Sequence, residues 1–226
     1  MPKKLRPGLI EPSDIPKEHL NHYLGDTYRG YMTSLKQRIE LTYRSFNVDL
    51  GASEFNIEFI ALQTRMMLEL LAFALSTFHQ NLTEPIGKSK RTVTDPLVIL
   101  GKLKTDHPWF NSLATDIDLS KSGFANIQLV QRLKNPLDSI EYYKKTHGKL
   151  GKLLHEQQRP RPTNDGMLTL KDLRIILRHI FMLTRRHLIT DEYGSGWMVD
   201  LYTQGQPNEI LIMKISNAKF ISSLKS

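Results

Sequence analysis

Along much of the chain, apolar residues recur at spacings of three and four, which places them on one side of an α-helix. The first such stretch predicts a helix from about His19 to Phe46, with Leu24, Tyr28, Tyr31, Leu35 and Ile39 as its stripe; Gly25 and Gly30 weaken its start. The second runs from about Ser53, a fitting N-cap, to Phe78. A short third begins at Asp95, with Pro96 at its first position and Leu97, Leu100 and Leu103 on its apolar side. A fourth is expected from about Pro136 to Glu156. A fifth is expected from about Leu170 to Leu188, with Thr169 and Asp172 forming a variant of the capping box. Thr105 to Ile127 reads as irregular, and Arg159 to Gly166 as a break with two prolines and an Asn-Asp-Gly turn.

The period then changes. Trp197, Val199 and Leu201 alternate onto one face, Glu209 to Ile215 is rich in isoleucine, and Gln204 to Asn208 between them has turn chemistry. That is a β-hairpin, and a hairpin alone in water is marginal, so it must pack on the helices or pair with another chain. The expected fold is mainly α: an antiparallel helical bundle with a central buried helix and a C-terminal β-hairpin. The chain divides into a basic N-terminal arm (1–18), the bundle (19–190) and the hairpin tail (191–226).

The second helix earns its central place because it is apolar around most of its circumference, from Ile57 and Phe59 to Leu75 and Phe78. At about 100° per residue, Glu58, Arg65, Glu69, Ser76 and His79 fall on one narrow polar stripe. Arg65 and Glu69, four apart, can form a structural ion pair tying this helix to a neighbour; if buried, losing one partner costs roughly 3–5 kcal/mol. The same polar groups argue against a membrane span.

A chain of 226 residues makes one large domain or two small ones, and 40% hydrophobic with 24% charged residues is ordinary for a folded soluble protein. The absence of cysteine excludes disulfides, thiolate zinc sites and a cysteine nucleophile. Met1 to Ile10 is basic with no apolar run behind it, unlike a secretory signal. A cytoplasmic protein with no membrane association is expected.

Charge sharpens the picture. Lys plus Arg number 31 against 23 Asp plus Glu, a net charge of +8. From Tyr142 to Arg161 six Lys/Arg stand against one Glu, and from Leu170 to His187 five stand against one Asp. These two windows together carry more than the net charge of the whole chain, so the cations are concentrated. Gly148, Lys152, His155 and Arg159 share one face of the fourth helix, with Tyr143, Leu150, Leu153 and Leu154 toward the core. Lys171, Arg174, Arg178 and Arg185 share a face of the fifth. Cations gathered on adjacent helices are the footprint of phosphate-backbone contact, so Lys152, Arg159, Arg161, Lys171, Arg174, Arg178 and Arg185 are the candidate nucleic-acid-binding residues. The plainer reading is a solvated basic face.

No dinucleotide-binding, phosphate-loop, zinc-protease or serine-hydrolase motif occurs. His19 and His22 lie three apart without a third ligand, and Asp116 and Asp118 lack the other ligands of a calcium site. No metal or cofactor is expected. His155 is the most suggestive histidine. Beside Lys152 and just before Arg159 and Arg161, its pKa is pushed down, and a neutral imidazole among phosphate-binding cations suits a general base for a ribose 2′-hydroxyl. The bland alternative is a helix-end histidine bonded to a local carbonyl.

Ile57 to Phe78 resembles a Leu-Gln-x-Arg and Glu-Leu signature of uncharacterised bacterial proteins. Asp106 to Phe110, Tyr143 to Pro160 and Gly196 to Leu201 resemble further segments of that family in the same order. The family is similar to divergent HEPN-type helical bundles. The resemblance implies a homodimer and an RNA or protein partner, including an antitoxin or other operon partner. It also implies a toxin or phage-defence role with metal-independent ribonuclease activity. His155 would be the base, with Lys149, Lys152 and Arg159 on phosphate. The chain departs from the HEPN pattern of an Arg, four to six intervening residues, then the His: with five intervening before His155 stands Lys149, while the literal match, Arg174 to His179, lies mid-helix and away from the family's Leu-His position. The alternative is a non-catalytic dimeric scaffold whose basic face meets an acidic protein, with Arg65 and Glu69 structural.

Overall fold

The computed structural model describes residues 17–47, 54–79, 95–106, 113–117, 129–131, 135–155, 168–190, 196–202 and 209–215. Its helices are α1 (Lys17–Asn47), α2 (Glu54–His79), α3 (Pro96–Asp106), α4 (Ile140–His155) and α5 (Leu170–Thr184), with a 3-10 turn at Pro136–Asp138 before α4.

The mainly helical fold follows the apolar stripes. Tyr28, Met32, Leu35 and Ile39 of α1 are fully buried against α2, whose own Ile60, Ala61, Met67, Leu68, Ala72 and Ala74 are covered. Contacts between side chains orient the helices. Arg38 meets Gln63 at 2.5 Å while Tyr31 stacks on Phe73, so α1 and α2 are antiparallel. Tyr143 donates to the Leu68 carbonyl while Gly151 lies beside Arg65, so α4 runs against α2. Tyr142 and His179 meet at 3.3 Å across α4 and α5.

Helix α2 is central but not sheathed all round: Phe55 and Leu62 reach solvent at its N-terminal half. By length and composition alone, Phe55–His79 is long and apolar enough to cross a membrane, yet 61% of its 18-residue apolar window is buried within the protein. That is what a core helix looks like.

Local chemistry sets the described ends. Asp95 Oδ1 accepts the Leu97 N–H at 2.8 Å and starts α3. Thr169 and Asp172 cap α5 reciprocally, the hydroxyl accepting the Asp172 N–H while the carboxylate accepts the Thr169 N–H. Asn135 caps the turn before α4 in the same way. Ser53, read as the cap of α2, lies outside the described residues, as do Arg159 and Arg161.

The sheet is larger than the hairpin read from the tail. Strands β1 (Leu113–Ile117), β2 (Leu129–Gln131), β3 (Arg186–Thr190), β4 (Gly196–Asp200) and β5 (Leu211–Ile215) form one antiparallel sheet in the order β2-β1-β3-β4-β5. The expected hairpin is β4–β5, in register from Gly196↔Ile215 to Asp200↔Leu211. Two expectations are corrected. The fifth helix ends at Thr184 rather than Leu188, because the next residues pair with β4 and the ladder outweighs the helical period. The stretch read as irregular holds β1, which pairs Leu113 with Leu188. The sheet answers the hairpin's need for a partner by packing on the bundle. Arg29 donates to the Ile210 carbonyl at 3.1 Å, and buried Lys36 donates to the Glu209 carbonyl at 3.4 Å.

Candidate nucleic-acid interface

Helices α4 and α5 turn one face to the core and the other to water. On α4, Tyr143, Thr146, His147, Leu150 and Leu153 are buried, while Lys144, Lys145, Lys149 and Lys152 are exposed. On α5, Leu173, Ile176, Leu177, Ile180 and Leu183 are buried, while Lys171, Arg174, Arg178 and the cap residue Arg185 are exposed. Both apolar stripes pack on α2, so both cationic faces point away from it.

The border between the two helices is defined at two points. Near the start of α4, the Tyr142 hydroxyl meets His179 Nδ1, and Asn135 Nδ2 donates to the His179 carbonyl at 2.7 Å. At the start of α5, the Asp172 carboxyl is held below its usual range, first by hydrogen bonds from Thr169 and then by the charges of Lys149 and Lys171. The two helices are therefore antiparallel neighbours, and Lys149 of α4 and Lys171 of α5 face one patch. Arg174 and Arg178 lie on the far border of α5, toward α1: Arg174 sits 5.1 Å over the Phe46 ring, and Arg178 acts on Tyr43. Lys152 is on the outward face of α4. The candidate cations thus form one layer spread over two helices rather than a single cluster.

Arg186, counted among the cations of the second window, is not available to a ligand in the same way. It leaves the helix, enters β3 and turns to Asp200, Nη2 at 2.5 Å and Nε at 2.8 Å from Oδ2. His155 is the last residue of α4; its side chain, and those of His19, His22 and Asp116, lie outside the described residues, as does Asp118.

Arg65 and Glu69 pair at 3.0 Å. The carboxylate oxygen is also 3.2 Å from His147 Nε2 on α4, and the Arg65 guanidinium packs where a side chain at Gly151 would begin. The pair therefore does join α2 to α4. With side chains 28% and 30% exposed, it is only half-buried, so its loss costs less than that of a fully buried pair.

Two histidines that periodicity did not single out have defined settings. His147 stacks in parallel on Tyr143, 6.4 Å between centroids; its place three before Leu150 and four after Tyr143 was the available signal. His179 is half-buried, and burial followed by the Arg178 charge holds its pKa below the ordinary value. A histidine whose pKa is lowered by burial and by one neighbouring cation, Arg178, is thus found one helix away from His155. Among the described residues, no group of three His, Asp or Glu side chains is placed to hold a metal ion.

The chain matches no family model, no curated protein and no solved structure.

Proposed function

We propose that the protein binds RNA in the cytoplasm through the outward faces of α4 and α5. One observation carries this reading: Lys144, Lys145, Lys149, Lys152, Lys171, Arg174 and Arg178 are all exposed on two antiparallel helices that share a border. The acids among them have other partners, Asp172 while standing beside Lys149 and Lys171. Glu141 pairs with Lys104 at 3.0 Å, and Asp172 is committed to the helix cap. Phosphates laid over such a layer release counterions from the nucleic acid, which is the main source of affinity for a sequence-independent binder.

The combined variant Lys149→Gln/Lys152→Gln/Lys171→Gln tests it. Fluorescence anisotropy with a labelled oligoribonucleotide near 0.1 M salt should show affinity lower by roughly 100-fold, since each phosphate contact is worth up to about a factor of ten there. Circular dichroism should be unchanged, because the exposed lysines pack against nothing in the core. Unaltered affinity in a folded variant removes the proposal.

A second reading is favoured by Ile175 and Met182, which are 42% and 37% exposed on the same face of α5. Apolar side chains among cations suit a protein partner with an acidic, partly apolar surface. On that reading the wild-type protein binds no RNA even at low salt.

A further inference from the structure

Beyond the cationic layer, the border between α1 and α5 has a composition of its own. The two helices do not pack closely backbone to backbone there, and aromatic rings span the gap. Tyr43 and Phe181 stand nearly perpendicular with centroids 6.1 Å apart, and Phe181 meets Tyr202 at 5.4 Å. Beside them Arg174 lies over Phe46. All four rings are partly buried against the core and keep some surface open to water, while Arg174 and Arg178 are exposed.

We propose that this border is a nucleobase-binding strip, on which unpaired RNA bases stack against Tyr43 and the Arg174–Phe46 pair while Arg174 and Arg178 hold the flanking phosphates. The inference rests on the RNA reading above and names the form of RNA. Every base has a π-face that an aromatic ring or a guanidinium accepts, and these faces are accessible in single strands but hidden in a duplex. A guanidinium seated on a ring is held in place by the cation–π contact, and its solvent side stays open to a base. Arg178 near the Tyr43 hydroxyl offsets part of the effect of burial on that group, consistent with a cation at the ring's edge.

The test compares three probes on the full chain: a uridine dodecamer, a duplex RNA of the same length, and inorganic polyphosphate, which carries charge without bases. Wild-type protein should bind the dodecamer more tightly than the duplex. Tyr43→Leu/Phe46→Leu, which keeps apolar packing, should weaken dodecamer binding by about 10-fold per lost stack and leave polyphosphate binding unchanged. Should that variant melt early, Tyr43→Leu alone leaves every cation in place, and it should produce the same split between probes. Equal losses on dodecamer and polyphosphate, or no loss on the dodecamer, overturn the strip while leaving the cationic layer standing. If wild type binds none of the three probes, both readings fall and an acidic protein takes the face instead.

Discussion

Asp200→Ala should lower stability by about 3–5 kcal/mol, seen as an early urea midpoint with an unchanged slope. Asp200 is 5% exposed and stands opposite Arg186 in the β3–β4 register. One carboxylate oxygen receives two guanidinium hydrogen bonds, and the other accepts the Tyr202 N–H at 3.0 Å. Removing the side chain takes away the charge that answers a largely covered arginine and strands a backbone donor just past β4. Asp200→Asn keeps an acceptor for Tyr202 and should fall between wild type and alanine. The exposed Lys104–Glu141 pair is the control, and Glu141→Ala should leave the midpoint where it is. A change of under about 1 kcal/mol for Asp200→Ala would mean that water reaches Arg186 freely.

Acid should weaken the fold from about pH 6.5 downward. His187 is fully buried, with Nδ1 2.9 Å from the Thr184 carbonyl and Nε2 2.6 Å from the Tyr28 hydroxyl. A carbonyl only accepts, so Nδ1 carries the proton and Nε2 accepts from Tyr28. Burial holds the imidazole pKa down to about 4, although the Thr184 carbonyl and Asp200 pull it upward. Between pH 6.5 and about 4 the unfolded chain therefore binds a proton that the folded protein refuses. Stability is full above pH 6.5 and falls by about 3 kcal/mol as the pH drops to 4. His179, whose pKa is also lowered, adds in the same direction. Urea unfolding at pH 7.5, 5.5 and 4.5 measures this, with the His187 ring followed by NMR. A flat stability profile, or a His187 resonance titrating near 6.5, contradicts it.

Much of the helical frame was legible because its signals are local. The stripe from Tyr28 to Ile39, the apolar circumference of α2 and the Thr169–Asp172 cap each lie within a few turns of chain. The β4–β5 hairpin was legible for the same reason. Strand β3 was not: Arg185 and Leu188 continue the period of α5, and only pairing with Met198 and Leu113 makes that segment extended. Strand β1, five residues with Thr115 and Asp116 at its centre, carries too weak an alternation to announce itself.

The candidate site divides in the same way. Of the exposed lysines of α4, helical spacing singled out Lys152; Lys144, Lys145 and Lys149 are exposed on the same helix. That Arg174 and Arg178 lean toward Phe46 and Tyr43 depends on where α1 lies, and that Glu69 meets His147 depends on which turn of α2 faces α4. Arg186 looked like one more surface cation until the sheet supplied Asp200.

The central claim is that α4 and α5 present a cationic layer to RNA, and the affinity of an oligoribonucleotide measured across a salt series tests it most directly. The account predicts a straight line of log affinity against log salt, falling by about 0.7 for each single-stranded phosphate contacted. The slope should flatten by about two in the Lys149→Gln/Lys152→Gln/Lys171→Gln variant. Affinity indifferent to salt, or no binding even at the lowest salt, would contradict it.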